Sequence, residues 1–82
     1  MKQEQIDKIY GLIAKNFRVD KNIIKPEMTF EKDLNADSLD VVELFIDIED
    51  EFGLEINIEE LQGKVSTVQD AVDAISKLME SR

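Results

Sequence analysis

The chain has 82 residues, with ten Lys and Arg against nineteen Asp and Glu for a net charge of −9, and it contains neither histidine nor cysteine. That length makes one domain, residues 1–82, whose folding buries only about 60% of the surface its unfolded form exposes, so the core is thin. The composition excludes a disulfide framework, a cysteine–metal site and any nucleophile activated by a histidine base, and no apolar run is long enough to span a bilayer.

The pattern predicts a first helix over residues 3–17, because Ile6, Ile9, Tyr10, Ile13 and Phe17 recur at the spacing of one buried stripe. Gly11 weakens it slightly. A long connection over residues 18–37 follows. It holds the only proline, Pro26, which disfavours helix at Lys25. Unstructured connections of that length are uncommon in a compact domain. Val19, Ile23, Ile24, Met28, Phe30 and Leu34 are spaced along it and read as pins that fasten the loop over the helices.

A second helix is expected over residues 38–52, with Asp37 as its N-cap, Asp40 three residues later in a box-like arrangement, and Gly53 ending it. A short third helix covers residues 58–62, capped by Asn57, with Glu60 at the box position and Gly63 after it. The fourth begins after Thr67, with Asp70 at the box position, and buries Val68, Ala71, Val72, Ile75, Leu78 and Met79. No stretch alternates like a strand between hairpin turns. The fold class is all-α: a small four-helix bundle of three main helices and one short one, with a long first loop.

The charge is unevenly spread. Residues 1–30 carry six basic against four acidic side chains, residues 31–60 carry twelve acidic against the single Lys32, and residues 61–82 carry three of each. An acidic middle third repels nucleic acid and anionic membranes and steers toward basic surfaces. Solubility alone does not require concentrating the charge around one helix.

At about 100° per residue, the second helix places Val41, Leu44, Phe45, Ile48 and Phe52 on a core stripe and Asp40, Glu43, Asp47, Asp50 and Glu51 roughly opposite. Leu39, Val42 and Ile46 belong to neither group and share a flank with Ser38. Such a trio either lies under a loop or presents an apolar docking face rimmed with acids, and periodicity leaves the two open. The run Asp37-Ser38-Leu39-Asp40 favours the docking face.

Residues 34–60 resemble the acyl carrier protein family. The resemblance rests on Asp37-Ser38-Leu39, Val-Glu-Leu at 42–44, Glu-Asp-Glu-Phe at 49–52 and Glu-Ile at 55–56. The run Thr67-Val68-Gln69-Asp70-Ala71-Val72 is similar to the start of that family's last helix. Asn35 stands where the family often has glycine and Asn57 where it often has proline. Asparagine tolerates left-handed backbone and caps helices, so both are local substitutes.

The resemblance implies a non-enzymatic carrier of growing acyl chains in fatty acid biosynthesis. The chains would be held as thioesters on a 4′-phosphopantetheine arm covalently attached to Ser38, between Asp37 and Leu39. The thiol then belongs to the cofactor, which suits a thioester carrier whose own chain has no cysteine. A helix N-terminus also favours the negative charge of a phosphodiester. The implied partners are a phosphopantetheinyl transferase, fatty acid synthesis enzymes and acyltransferases with basic docking patches, met by Asp40, Val42, Glu43, Ile46, Asp47 and Asp50. A cytoplasmic monomer, or an organelle-matrix protein lacking its targeting peptide, is expected, and the acidity argues against nucleic-acid binding and stable membrane insertion. The polar start of the chain, without the apolar stretch of a signal peptide, agrees with that setting.

An acyl chain folding back between the helices would gain about 0.8 kcal/mol per buried methylene, so eight offer roughly 6 kcal/mol before the cost of opening the core. The alternatives are a specialised polyketide or aminoacyl carrier, or a cofactor-free acidic helical adaptor. A calcium loop fits poorly. Asp33, Asn35 and Asp37 match its first three ligand positions, but Ser38 replaces the required glycine and Leu44 the bidentate glutamate.

Overall fold

In a computed structural model, which describes residues 2–80, the chain folds into helices α1 (Gln3–Phe17), α2 (Ser38–Phe52), α3 (Ile58–Leu61) and α4 (Val68–Glu80). The expected all-α bundle is present, and the boundaries of the two long helices agree with the periodicity. α3 stops one residue short of the expected end, with Gln62 already leaving the helix and Gly63 turning in the left-handed region at φ 82°. Among the described residues no helix is long and apolar enough to cross a membrane.

One core joins the elements. Ile9 and Ile13 of α1, Leu44, Phe45 and Ile48 of α2, and Val68, Ala71, Val72 and Ile75 of α4 are buried together. Ile6, Tyr10, Val41, Phe52, Leu78 and Met79 pack half-buried around them. Burial, and secondarily the charge of Glu27, raises the Tyr10 phenol above its ordinary pKa.

Three features fix α2. Asp37 and Asp40 exchange hydrogen bonds, the Asp40 N–H donating to Asp37 Oδ1 and the Asp37 N–H to Asp40 Oδ2, both at 3.0 Å. These satisfy donors that a helix start otherwise leaves open. At the other end Gly53, at φ 64°, turns the chain out. Beyond it the Ile56 N–H donates to Glu49 Oε2 at 2.8 Å, fastening the segment that seats Leu54 and Ile56 in the core.

The long first connection is ordered by packing and by backbone pairing. Ile24, Phe30, Leu34 and Ala36 are buried, and the Phe30 ring lies 5.8 Å from that of Phe17. Val19 and Met28 pack half-buried against the core. Ile23 is not a pin: it sits in a 3-10 turn, Lys21–Ile23, and is 55% exposed. That turn, capped by Asp20, points its third side chain outward while Ile24 turns in. Asn35 adopts the left-handed backbone expected of it, at φ 54°.

The connection is also stitched to the start of α4. The Phe30 N–H donates to the Ser66 carbonyl, the Val68 N–H to Met28 and the Gln69 N–H to Pro26, each at 2.9 Å, around an isolated bridge between Thr29 and Thr67. No regular strand forms among the described residues, as expected.

Candidate functional site

Ser38 is the first residue of α2, and it is exposed. Helix-start serines usually cap, but here the capping is done by Asp37 and Asp40, and among the described residues no hydrogen bond engages the Ser38 hydroxyl. The hydroxyl is therefore free for an incoming reagent, on a backbone held rigid by its neighbours.

Beside it lies a groove of about 590 Å³. One wall is the stitched connection, from Thr29 to Lys32. The floor is the start of α2, with Ala36, Asp37, Ser38 and Val41. The far wall is α3 and the turn behind it, with Leu61, Gly63 and Val65. The two walls differ in how firmly they are held. The near wall carries the buried Phe30 and the backbone bonds to α4, whereas α3 is four residues long and contains no fully buried residue. An apolar-lined cleft opening at an exposed hydroxyl can receive a flexible covalent appendage and part of an attached apolar chain.

The flank of α2 next to Ser38 presents Leu39 at 70% exposure and Ile46 at 44%, with Val42 half-buried between them. Two of the three apolar residues are thus left to solvent instead of being covered by the loop or by α3. Glu43 and Asp50 are exposed around them.

The acids of α2 do not form one uniform free row. Asp47 is half-buried, and its Oδ2 accepts from the Asn16 side-chain amide of α1 at 2.8 Å. Glu51 pairs with Lys8 at 3.8 Å. Asp40 is partly committed to the cap. Sequence periodicity placed all of these on one outward face because it does not register how α1 leans over the edge of α2.

Sequence reasoning also missed the groove-lining Leu61, Gly63, Val65 and Ser66, which reach the site only through the fold. No Lys or Arg neighbours Ser38 in the chain, yet the turn at residues 29–33 brings Lys32 to the groove that Ser38 lines. Asp33 does not act as a free ligand. Its Oδ2 accepts from the Thr29 N–H at 2.7 Å and so holds that turn. No metal-holding cluster of acids is assembled among the described residues.

Residues 7–75 match the family model described as "Phosphopantetheine attachment site". The chain is 47% identical over 78 residues to an acyl carrier protein of Chlorobium phaeobacteroides, covering 94% of this chain and 99% of that one. It is 50% identical over 76 residues to an acyl carrier protein of Lactobacillus acidophilus, covering 92% and 94%. It is 47% identical over 73 residues to one from Thermosynechococcus vestitus, covering 89% of each.

Proposed function

Since the chain belongs to the acyl carrier protein family, a non-catalytic phosphopantetheine carrier of fatty acid synthesis, we propose that its prosthetic arm is attached at Ser38. The observation that carries this assignment is the free, exposed hydroxyl at the start of α2, relieved of capping by Asp37 and Asp40 and opening on the groove.

The loading chemistry then divides cleanly between this chain and its transferase. The Ser38 Oγ attacks the pantetheine-bearing phosphorus of coenzyme A. A phosphodiester forms, adenosine 3′,5′-bisphosphate leaves, and the serine proton passes to a base. No side chain of the described residues is hydrogen-bonded to the Ser38 hydroxyl, so we assign that base to the transferase. What this chain supplies is position: an exposed attachment point and an acidic approach. When bound, the arm contributes the thiol that holds acyl groups as thioesters.

The partners proposed are the transferase and the enzymes that build and use acyl chains, working in the cytoplasm. Leu39, Val42 and Ile46 would enter apolar depressions on those enzymes, while Glu43, Asp50 and the outer oxygens of Asp40 and Asp47 meet basic residues around the rim. Charge of this kind sets the rate of encounter and its orientation more than the final affinity. Asp37 and Leu39 flank the attachment point and would be read directly by the transferase.

Treatment of the purified protein with a phosphopantetheinyl transferase and coenzyme A tests the assignment by intact mass. One phosphopantetheinyl group is expected on the wild type and none on Ser38→Ala. An unmodified wild type, folded by circular dichroism, would overturn it.

A further inference from the structure

Lys32 is the only basic residue between positions 31 and 60, among twelve acidic ones. The fold places it on the wall of the Ser38 groove, with Glu31 and Asp37 the carboxylates that share the lining. Its backbone is fixed, because the Lys32 N–H donates to Thr29 Oγ1 at 3.2 Å in a turn that Asp33 also holds and that the buried Phe30 anchors. Its side chain is exposed and enters no ion pair among the described residues, in contrast to Lys8 with Glu51. Asp37, the nearer acid in the chain to Ser38, has its Oδ1 committed to the Asp40 N–H.

We propose that Lys32 is a positioning residue for the prosthetic arm: its ammonium pairs with the phosphodiester on Ser38 and directs the arm into the groove. This rests on the attachment of the arm at Ser38.

The physical case is one of sign and geometry. A phosphodiester on Ser38 adds a permanent negative charge beside Asp37 and Asp40, in the most acidic third of the chain. Lys32 is the cation that the groove itself offers. A phosphate presents oxygens in several directions, so a lysine ammonium on a flexible stem can meet it without a fixed fork geometry. The helix start favours the same charge from the other side. Held between the two, the arm leaves Ser38 toward Val41, Leu61 and Val65 instead of toward open solvent. Removing the lysine would leave the arm attached but free to swing.

The test compares apo and holo protein by NMR after loading is verified by intact mass. In the wild type, loading is expected to shift the Lys32 side-chain carbon and nitrogen resonances and to give NOEs from the arm's methyl groups to Val41 and Val65. Raising sodium chloride should reverse the Lys32 shift. Lys32→Gln holo protein is expected to lose the NOEs and to show a displaced phosphorus resonance, and Lys32→Arg to restore both. A wild type that loads but whose Lys32 resonances match those of the apo form would overturn the role of Lys32 and leave the attachment site intact. A wild type that does not load would overturn the attachment at Ser38 itself. The wild-type comparison decides the matter even if the glutamine variant is a poor transferase substrate.

Discussion

Asn16 and Asp47, thirty-one residues apart, are joined by a 2.8 Å hydrogen bond from the asparagine amide to the carboxylate, while the same amide also donates to the Leu12 carbonyl at 2.8 Å. Asn16 is thereby locked to its own helix and clamps α2 against α1 with its second proton. The bond is half-buried and one partner is charged, which puts it in the stronger class of side-chain bonds. Asn16→Ala is expected to cost about 1.5 kcal/mol, read as a lower urea midpoint at unchanged slope. A double-mutant cycle with Asp47→Ala should return a coupling of at least about 0.5 kcal/mol. Strictly additive losses would show that this bond contributes nothing to holding the two helices together.

The long connection owes its order to a few side chains, and these can be separated by mutation. Phe30 is 2% exposed and its ring packs at a tilt near that of Phe17, so Phe30→Ala should cost about 3–5 kcal/mol. In a domain this small, that threatens the whole fold. Ile23 has the same apolar character and lies in the same loop, yet it is 55% exposed, and Ile23→Ala is expected to stay within about 0.5 kcal/mol. Thermal melts of the two variants check the contrast.

That contrast also marks how far the sequence could be read. The helices were legible because Ile9, Ile13, Leu44, Phe45, Ile48, Val72 and Ile75 repeat at helical spacing, and the caps at Asp37, Asn57 and Asp70 carry their own chemistry. Asn35 was legible through the family resemblance, as an asparagine where glycine is common, and Arg18, which also has positive φ, carried no such mark. The loop had no period, so nothing in the residues told Ile23 from Ile24. The 3-10 turn decides that, and it becomes visible only once the chain is folded. Ser38 stood out by its setting, but the groove beside it did not. Its walls come from segments some thirty residues apart, joined by backbone bonds that have no side-chain signature. The flank of Leu39 and Ile46 was half legible: spacing set it apart from the core, and only the fold shows that both are exposed.

Asp70 makes the start of α4 sensitive to acid. Its Oδ2 accepts from the Ser66 N–H at 3.0 Å, the Ser66 hydroxyl at 3.2 Å and the Thr67 N–H at 3.0 Å, and the Asp70 N–H returns a bond to Thr67 Oγ1. The backbone bonds from Ser66 and Thr67 are the main cause of its lowered pKa. A depressed folded-state pKa means stability that is present above the unfolded value of about 3.9 and is lost as pH falls through the lower folded value. Asp70→Asn should therefore be less stable than wild type by about 1 kcal/mol at neutral pH. The gap should close as the pH drops below about 4. Urea midpoints of the pair across pH test this, and a gap that stays constant into acid would remove Asp70 as the cause.

The exposed acids of α2 impose a stability cost that can be relieved in two ways. Glu43 and Asp50 are exposed and enter no ion pair among the described residues, whereas Asp47 and Glu51 have partners on α1. Millimolar magnesium should raise the melting temperature by screening and weak, delocalised binding. Each kcal/mol recovered is worth roughly 4–8 °C in a domain of this size. The double variant Glu43→Gln, Asp50→Asn is expected to melt higher than wild type at low salt and to gain less from magnesium. The same variant should bind slower to basic partner enzymes, since the removed charges are those that guide approach. An unchanged or lowered wild-type melting point in magnesium would count against the repulsion.

The unequal walls of the groove set how an attached acyl chain would be stored. The near wall is pinned by Phe30 and by the backbone bonds to α4, so any widening must come from α3, whose four residues are only half-buried or exposed. A chain of eight methylenes entering between Val41, Leu61 and Val65 offers roughly 6 kcal/mol of burial. That exceeds the few kcal/mol typical of a modest repacking, so the inserted state should dominate. Loading the holo protein with a ten-carbon acyl group, which carries eight methylenes, should therefore shift the amides of residues 58–65 and of Val41, with smaller changes at Thr29 and Phe30. Enlarging the groove side chain with Val65→Phe should suppress those shifts and leave the thioester more open to hydroxylamine. Identical amide spectra for the acylated and unacylated holo forms would mean that the chain stays outside.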